Sequence, residues 1–176
     1  MASRGRVPLP AADALSRLAP AARQPTTVYL TGGATAVLLG WRDATVDVDI
    51  KVVPDDGSLL RQISLLKDTF ELNVELASPD LFVPVRDGWE QRSPWETSEG
   101  QLVVRHFDLT AQAMAKLERG HDRDLLDVAE LVGRGYVTAA ALRAELDAVE
   151  TELYRFPAVD PPTLRRAVSD AIERWG

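Results

Sequence analysis

Cysteine is absent from the 176 residues. That excludes disulfides, cysteine-ligated zinc and thiol nucleophiles. Histidine is scarce, with His106 and His121 alone, and two imidazoles without a thiolate make a poor zinc set. No apolar run approaches the roughly 18 residues that a bilayer-crossing helix needs, so no membrane partner is expected. Met1 to Pro10 carries Arg4 and Arg6 but no apolar stretch of signal-peptide length. A cytoplasmic protein is the expectation. No serine sits in a nucleophile elbow, and the Gly32-Gly33 pair lacks the lysine of a P-loop. Positive charge is also short: 20 Lys and Arg face 27 Asp and Glu, a net charge of −7. Proteins that grip long duplex DNA by neutralising phosphates are usually basic. Broad nonspecific binding to duplex DNA is therefore not expected. An acidic chain does suit a site that gathers cations.

What is present reads as a globular chain, 45% hydrophobic and 27% charged. Pro8 to Ala22 is Ala- and Leu-rich and predicts a first helix ending near Pro20. Thr26 to Leu30 is β-branched and aromatic, hence a strand. Thr31-Gly32-Gly33 predicts a turn, and Ala34 to Leu39 a helix opening from it. Val46 to Val53 alternates: Val46, Val48, Ile50 and Val52 on one face, Asp47, Asp49 and Lys51 on the other. Pro54 to Gly57 predicts a turn and Ser58 to Lys67 an amphipathic helix. Phe70 to Leu76 alternates again, with Phe70, Leu72, Val74 and Leu76 expected inward and Glu71, Asn73 and Glu75 outward. Asp87 to Gly100 predicts a loop or irregular hairpin containing Trp89 and Trp95. Leu102 to Phe107 predicts a last strand. Four helices then follow, near Leu109 to Glu118, Asp122 to Arg134, Thr138 to Leu153 and Pro162 to Trp175. The layout is an α+β core over residues 1–107, with mixed strands and helices, followed by a helical bundle over 108–176.

The chemistry concentrates between Val28 and Ile50. A strand runs into Gly32-Gly33 and a helix follows. Glycine lets backbone approach a ligand closely, and a helix start presents unpaired N–H groups to anions such as phosphate. The next strand carries aspartates at i and i+2. Period 2 puts Asp47 and Asp49 on one face, about 7 Å apart along the chain. Such a pair can share Mg²⁺ or Mn²⁺, or two ions about 4 Å apart. Aspartate disfavours strands, so two in one apolar strand need a reason beyond solvation.

The order Gly-Gly, short helix, then an apolar-Asp-apolar-Asp-apolar strand resembles the nucleotidyltransferase superfamily that includes DNA polymerase beta, CCA-adding enzymes and aminoglycoside nucleotidyltransferases. Thr27 to Val137 is similar to a bacterial nucleotidyltransferase-like family through NVELASPDLFVP at Asn73 to Pro84, GWEQRS at Gly88 to Ser93 and AKLERGHDRDLLDV at Ala115 to Val128. That family is similar to the toxins of AbiE- and MenT-type toxin–antitoxin systems. The resemblance implies a nucleotidyltransferase fold, with Gly32 and Gly33 holding a nucleotide triphosphate such as ATP and with Asp47 and Asp49 binding magnesium. A third acidic residue would act as base, either Glu75 or Glu71. Lys116 would reach the nucleotide phosphates as a mobile point charge, with Asp124 or Asp127 as a further carboxylate. Thr45, before the acidic strand, would lie near the γ-phosphate and is a candidate for regulatory phosphorylation, since a phosphate there would repel both nucleotide and metal. Arg42 is a candidate for the triphosphate or for nucleic acid.

Two plainer placements accompany these. His106 is expected on a strand surface, while His121 lies in the basic run Arg119 to Arg123. Trp89 and Trp95 are expected as loop anchors rather than base-stacking platforms. The resulting expectation is transfer of a nucleoside monophosphate from NTP to a hydroxyl, with the tRNA 3′ end favoured and a cognate antitoxin as partner. The alternatives are an aminoglycoside-type small-molecule transferase, a nucleotide-binding module with a decayed site, and a metal-dependent phosphohydrolase.

Overall fold

The computed structural model describes residues 17–45, 47–70 and 73–176. The chain is α+β and divides into two compact units. One holds Trp95–His106 together with the chain up to Ala77; the other holds Ser78–Pro94 and Phe107–Gly176. The predicted first helix lies mostly outside the described residues. Its described end is a 3₁₀ turn, Ala19–Ala21, with Pro20 inside it.

The first unit is built on a five-stranded mixed sheet. Its strands are β1 (Thr26–Thr31), β2 (Asp47–Val53), β3 (Asn73–Leu76), β4 (Trp95–Glu99) and β5 (Leu102–His106), in the order β3-β2-β1-β5-β4. β1 lies at the centre, antiparallel to β2 and parallel to β5. β2 pairs with β3 in parallel, and β4 with β5 antiparallel. Alternation decides the faces. Val28, Val48, Ile50, Val52, Leu102 and Val104 all point to one side and join a single core with Leu59 and Ile63. Each fully buried aliphatic side chain contributes about 1.5–3 kcal/mol.

Leu59 and Ile63 come from a helix, α2 (Gly57–Phe70), the second after α1 (Gly32–Leu38). Asp56 caps α2: its Oδ1 accepts from the N–H groups of Ser58 and Leu59 at 2.9 and 3.0 Å. Its Oδ2 accepts from Arg23 N at 3.1 Å, tying the segment before β1 to the same cap.

Two expectations need correction, and a third is met in part. The strand expected over Phe70 to Leu76 is only Asn73–Leu76, because α2 runs on to Phe70. Leu59, Ile63 and Leu66 form a buried helical stripe, and that stripe wins over the alternation that starts at Phe70. Leu76, expected inward, is 59% exposed, as the end of an edge strand can be. Asp87 to Gly100, expected as a loop or irregular hairpin, holds a one-turn helix, α3 (Trp89–Arg92), and the edge strand β4, which pairs antiparallel with β5 with a register shift between Trp95 and Thr97. β4 reads as polar because it is an edge strand whose burial is incomplete along its length.

The second unit carries α4 (Leu109–Arg119), α5 (Asp122–Gly133), α6 (Ala139–Val149) and α7 (Pro161–Trp175). Side-chain caps fix three of their starts. Asp108 accepts from Thr110 and Ala111, Thr138 from Ala141, and Asp160 from Thr163. Gly120, at φ +68°, ends α4 in a conformation that favours glycine.

Candidate active site

Gly32 and Gly33 do not precede the helix as a turn; they are its first two residues. Thr31, the last residue of β1, pairs with Asp49 on β2, so the bend is delivered beside the acidic strand. The contact is close. A Cβ on Gly32 would stand 3.0 Å from Asp49 Oδ2. One on Gly33 would stand 2.4 Å from Thr45 Oγ1 and 3.2 Å from the Asp47 carbonyl oxygen. Gly32 also has φ +61°, which side chains rarely adopt. Gly32 therefore favours glycine for conformation, and Gly33 for room against Thr45 and the Asp47 backbone.

Asp47 and Asp49 alternate with the buried Val48 and Ile50, so both project from the same face of β2. Asp47 is exposed and Asp49 half-buried. The parallel pairing sets Asn73 beside Asp47 and Glu75 beside Asp49. Asn73 Nδ2 donates to Asp47 Oδ1 at 3.2 Å and to Glu75 Oε1 at 2.9 Å. The four side chains thus share a face at the start of β2 and β3. Glu71, the alternative to Glu75, lies outside the described residues. Asn73 received no role from the sequence, although its place two residues before Glu75 puts it on the same face.

Among the described residues, no three His, Asp or Glu side chains are grouped to hold a metal ion. The donor set here is a carboxylate pair. Hard oxygen donors suit Mg²⁺ or Mn²⁺, and magnesium commonly takes one or two carboxylates and completes its shell with water and substrate phosphate. The glycine bend reaches Asp49 so closely that a Cβ would stand 3.0 Å from its Oδ2. In donor chemistry the two aspartates suit such a cation.

Thr45 is buried. Its hydroxyl donates to Asp47 O at 2.9 Å, and Oγ1 faces the Asp47 N–H at 3.3 Å. It thus locks the entry to β2. Phosphorylation at Thr45 would have to break this lock first. Arg42 follows α1, half-buried, with its backbone N–H on Ala36 O at 3.2 Å.

Lys116 and Asp124 belong to the helical unit. Lys116 is not a mobile charge but buried, its Nζ 2.6 Å from Asp127 Oδ2 and 3.6 Å from Asp124 Oδ1. Arg119 holds Asp124 through two bonds of 2.8 and 2.6 Å. Burial resists ionisation of Asp124, but the Arg119 bonds and the Lys116 charge outweigh it and hold the carboxyl below its ordinary range.

His106 corrects the expectation of a surface position. It continues the inward face of Leu102 and Val104, and its side chain is fully buried between Thr35 and Glu96. Alternation along β5 carried that signal. His121 is exposed at the start of α5. Trp89 stacks on Phe107, ring centres 4.3 Å apart, while Trp95 is largely exposed on β4.

No protein-family model, curated protein or solved structure matches the chain.

Proposed function

We propose that the chain is a metal-dependent nucleotidyltransferase that moves a nucleoside monophosphate from an NTP to a hydroxyl acceptor. One observation carries the reading: a glycine bend packs so closely on the acidic strand that a Cβ at Gly32 would sit 3.0 Å from Asp49 Oδ2. Two carboxylates and a Cβ-free approach in one place are what a cation-bridged triphosphate needs.

Asp47 and Asp49 would hold Mg²⁺ or Mn²⁺. A bound cation of this kind offsets phosphate charge and lowers the pKa of a coordinated hydroxyl. Gly32 and Gly33 let the bend approach β2, where the triphosphate would lie. Glu75, beside Asp49, takes the proton of the attacking hydroxyl. Asn73 orients the Glu75 carboxylate and keeps Asp47 aligned with it. In the transfer, the acceptor oxygen bonds to the α-phosphorus, the bond to the β-phosphate oxygen breaks, and pyrophosphate leaves. Lys116 and Asp124, committed to each other and to Asp127 and Arg119, take no step in this scheme.

The acceptor favoured is RNA at the tRNA 3′ end, the chain then acting as a toxin with a cognate antitoxin. A polycationic small molecule of the aminoglycoside kind is the second reading, favoured by the net charge of −7. Incubation with α-labelled NTPs, Mg²⁺ and either tRNA or an aminoglycoside separates them. Label in one acceptor, lost in Asp47→Ala with the circular dichroism unchanged, is the expected result. Undiminished incorporation by Asp47→Ala overturns the assignment.

A further inference from the structure

His106 takes no part in the reaction above, yet it is fully buried and hydrogen-bonded at both ring nitrogens. It closes β5 and stands beside Leu30 of β1. Nδ1 lies 3.1 Å from Thr35 Oγ1, and Nε2 lies 2.8 Å from Glu96 Oε2. The Thr35 hydroxyl has a single hydrogen, and it is given to Leu30 O at 3.2 Å. Toward the ring Oγ1 is therefore the acceptor, and Nδ1 carries a proton. The order carboxylate, imidazole, hydroxyl is that of a nucleophilic triad, but the proton runs the other way: the ring donates to the hydroxyl instead of activating it.

Nε2 faces a carboxylate, and one proton lies between them. The pair is neutral overall on either side of that proton. Glu96 keeps 28% of its side chain in contact with water. The ring thus links a carboxylate on β4 to a hydroxyl on α1 through both of its nitrogens.

We infer that His106 is a positioning residue for nucleotide binding, its ring, held at both nitrogens, tying Thr35, and with it the Gly32–Gly33 bend, to the sheet. The contacts run from Glu96 on β4 through His106 on β5 and Thr35 on α1 to Leu30 on β1. Gly32 and Gly33 lie just ahead of Thr35 in the same short helix. Their clearance from Asp49 and Thr45 is already tight, so a small shift of α1 alters the seat. This inference rests on the bend as the phosphate seat.

Two variants test it. Glu96→Gln removes the carboxylate charge at a partly exposed position with almost unchanged shape, and His106→Gln removes the ring. Both variants should move the Gly32 and Gly33 amide signals and weaken NTP binding about tenfold, with Mn²⁺ binding unchanged. Unmoved glycine signals, or unchanged NTP affinity in folded Glu96→Gln, overturn the inference. A parent that binds no NTP overturns the transferase reading; the glycine signals, which need no nucleotide, still judge the anchor.

Discussion

At Gly33 a methyl group would meet the Thr45 hydroxyl at 2.4 Å and a backbone oxygen at 3.2 Å. The hydroxyl can be removed by mutation, whereas the backbone oxygen cannot. Overpacking of this kind costs about 1–3 kcal/mol. Gly33→Ala should therefore lose stability on that scale in urea unfolding, and lose nucleotide binding with it. Thr45→Ala should cost less in the Gly33→Ala chain than in the parent, because the lost Oγ1 takes the 2.4 Å clash with it along with its bonds to Asp47. Equal stability of parent and Gly33→Ala would mean the bend is not packed on β2. At this scale the sequence was informative where two rare features coincide. Gly32-Gly33 and Asp47-Asp49 each stood out, the second because aspartate is unfavourable in a strand. Asn73 was hidden because one asparagine on an edge strand is ordinary until its partners across the ladder are known. His106 was misplaced at the surface although its register with Leu102 and Val104 points inward; its polar partners come from β4 and α1, which no local pattern links to it.

Among the elements, the caps are the most testable. Asp108 holds the start of α4 with Oδ1 and takes Arg92 Nε on Oδ2 at 2.7 Å. Arg92 in turn donates to the carbonyls of Asp87 and Arg86 at 2.8 and 3.0 Å. Asp108→Ala should cost about 0.5–2 kcal/mol for the cap alone, and more as Arg92 loses its carboxylate. Asp108→Asn should keep most of the cap. Thermal unfolding of both variants checks this, and an Asn variant as unstable as the Ala variant would contradict it. The C-terminal helices were legible because their apolar period, caps and glycine stops agree. The start of β3 was not. Helical and alternating periods overlap at Phe70, and only the packing of Leu59, Ile63 and Leu66 settles which one continues. Polar edge strands such as β4 give a weak signal for the same reason: they have only part of an apolar face to display.

For the whole molecule, two buried carboxylates set opposite pH trends. Burial, reinforced by the Asp108 charge, pushes the Glu145 pKa up despite the Arg86 N–H bond and the Arg92 charge. Its Oε2 and Arg86 Nε lie 3.5 Å apart, and neither makes a hydrogen bond. Folding therefore favours the protonated form. Its contribution is greatest in acid and is lost as pH rises through the raised folded value. Glu145→Gln keeps an acceptor for Arg86 N and should gain stability relative to the parent as the pH moves from acid to neutral. A difference that shrinks over that range would refute the assignment. Asp124 works in the other direction. Held below its ordinary range, it stabilises above the unfolded value, and that stability is lost only as the pH falls through the lowered folded value. Asp124→Asn should abolish this contribution, leaving the variant's deficit smallest in strong acid. The net charge of −7 bears on partners rather than on the fold.

The most direct test of the account is calorimetric titration of the full chain with Mn²⁺ and an NTP, alone and together, in parent and Asp49→Asn. The bend and the acidic pair predict NTP binding that requires the cation and weakens at least about tenfold in Asp49→Asn. NTP binding that ignores the cation, or is equal in the two proteins, would contradict it.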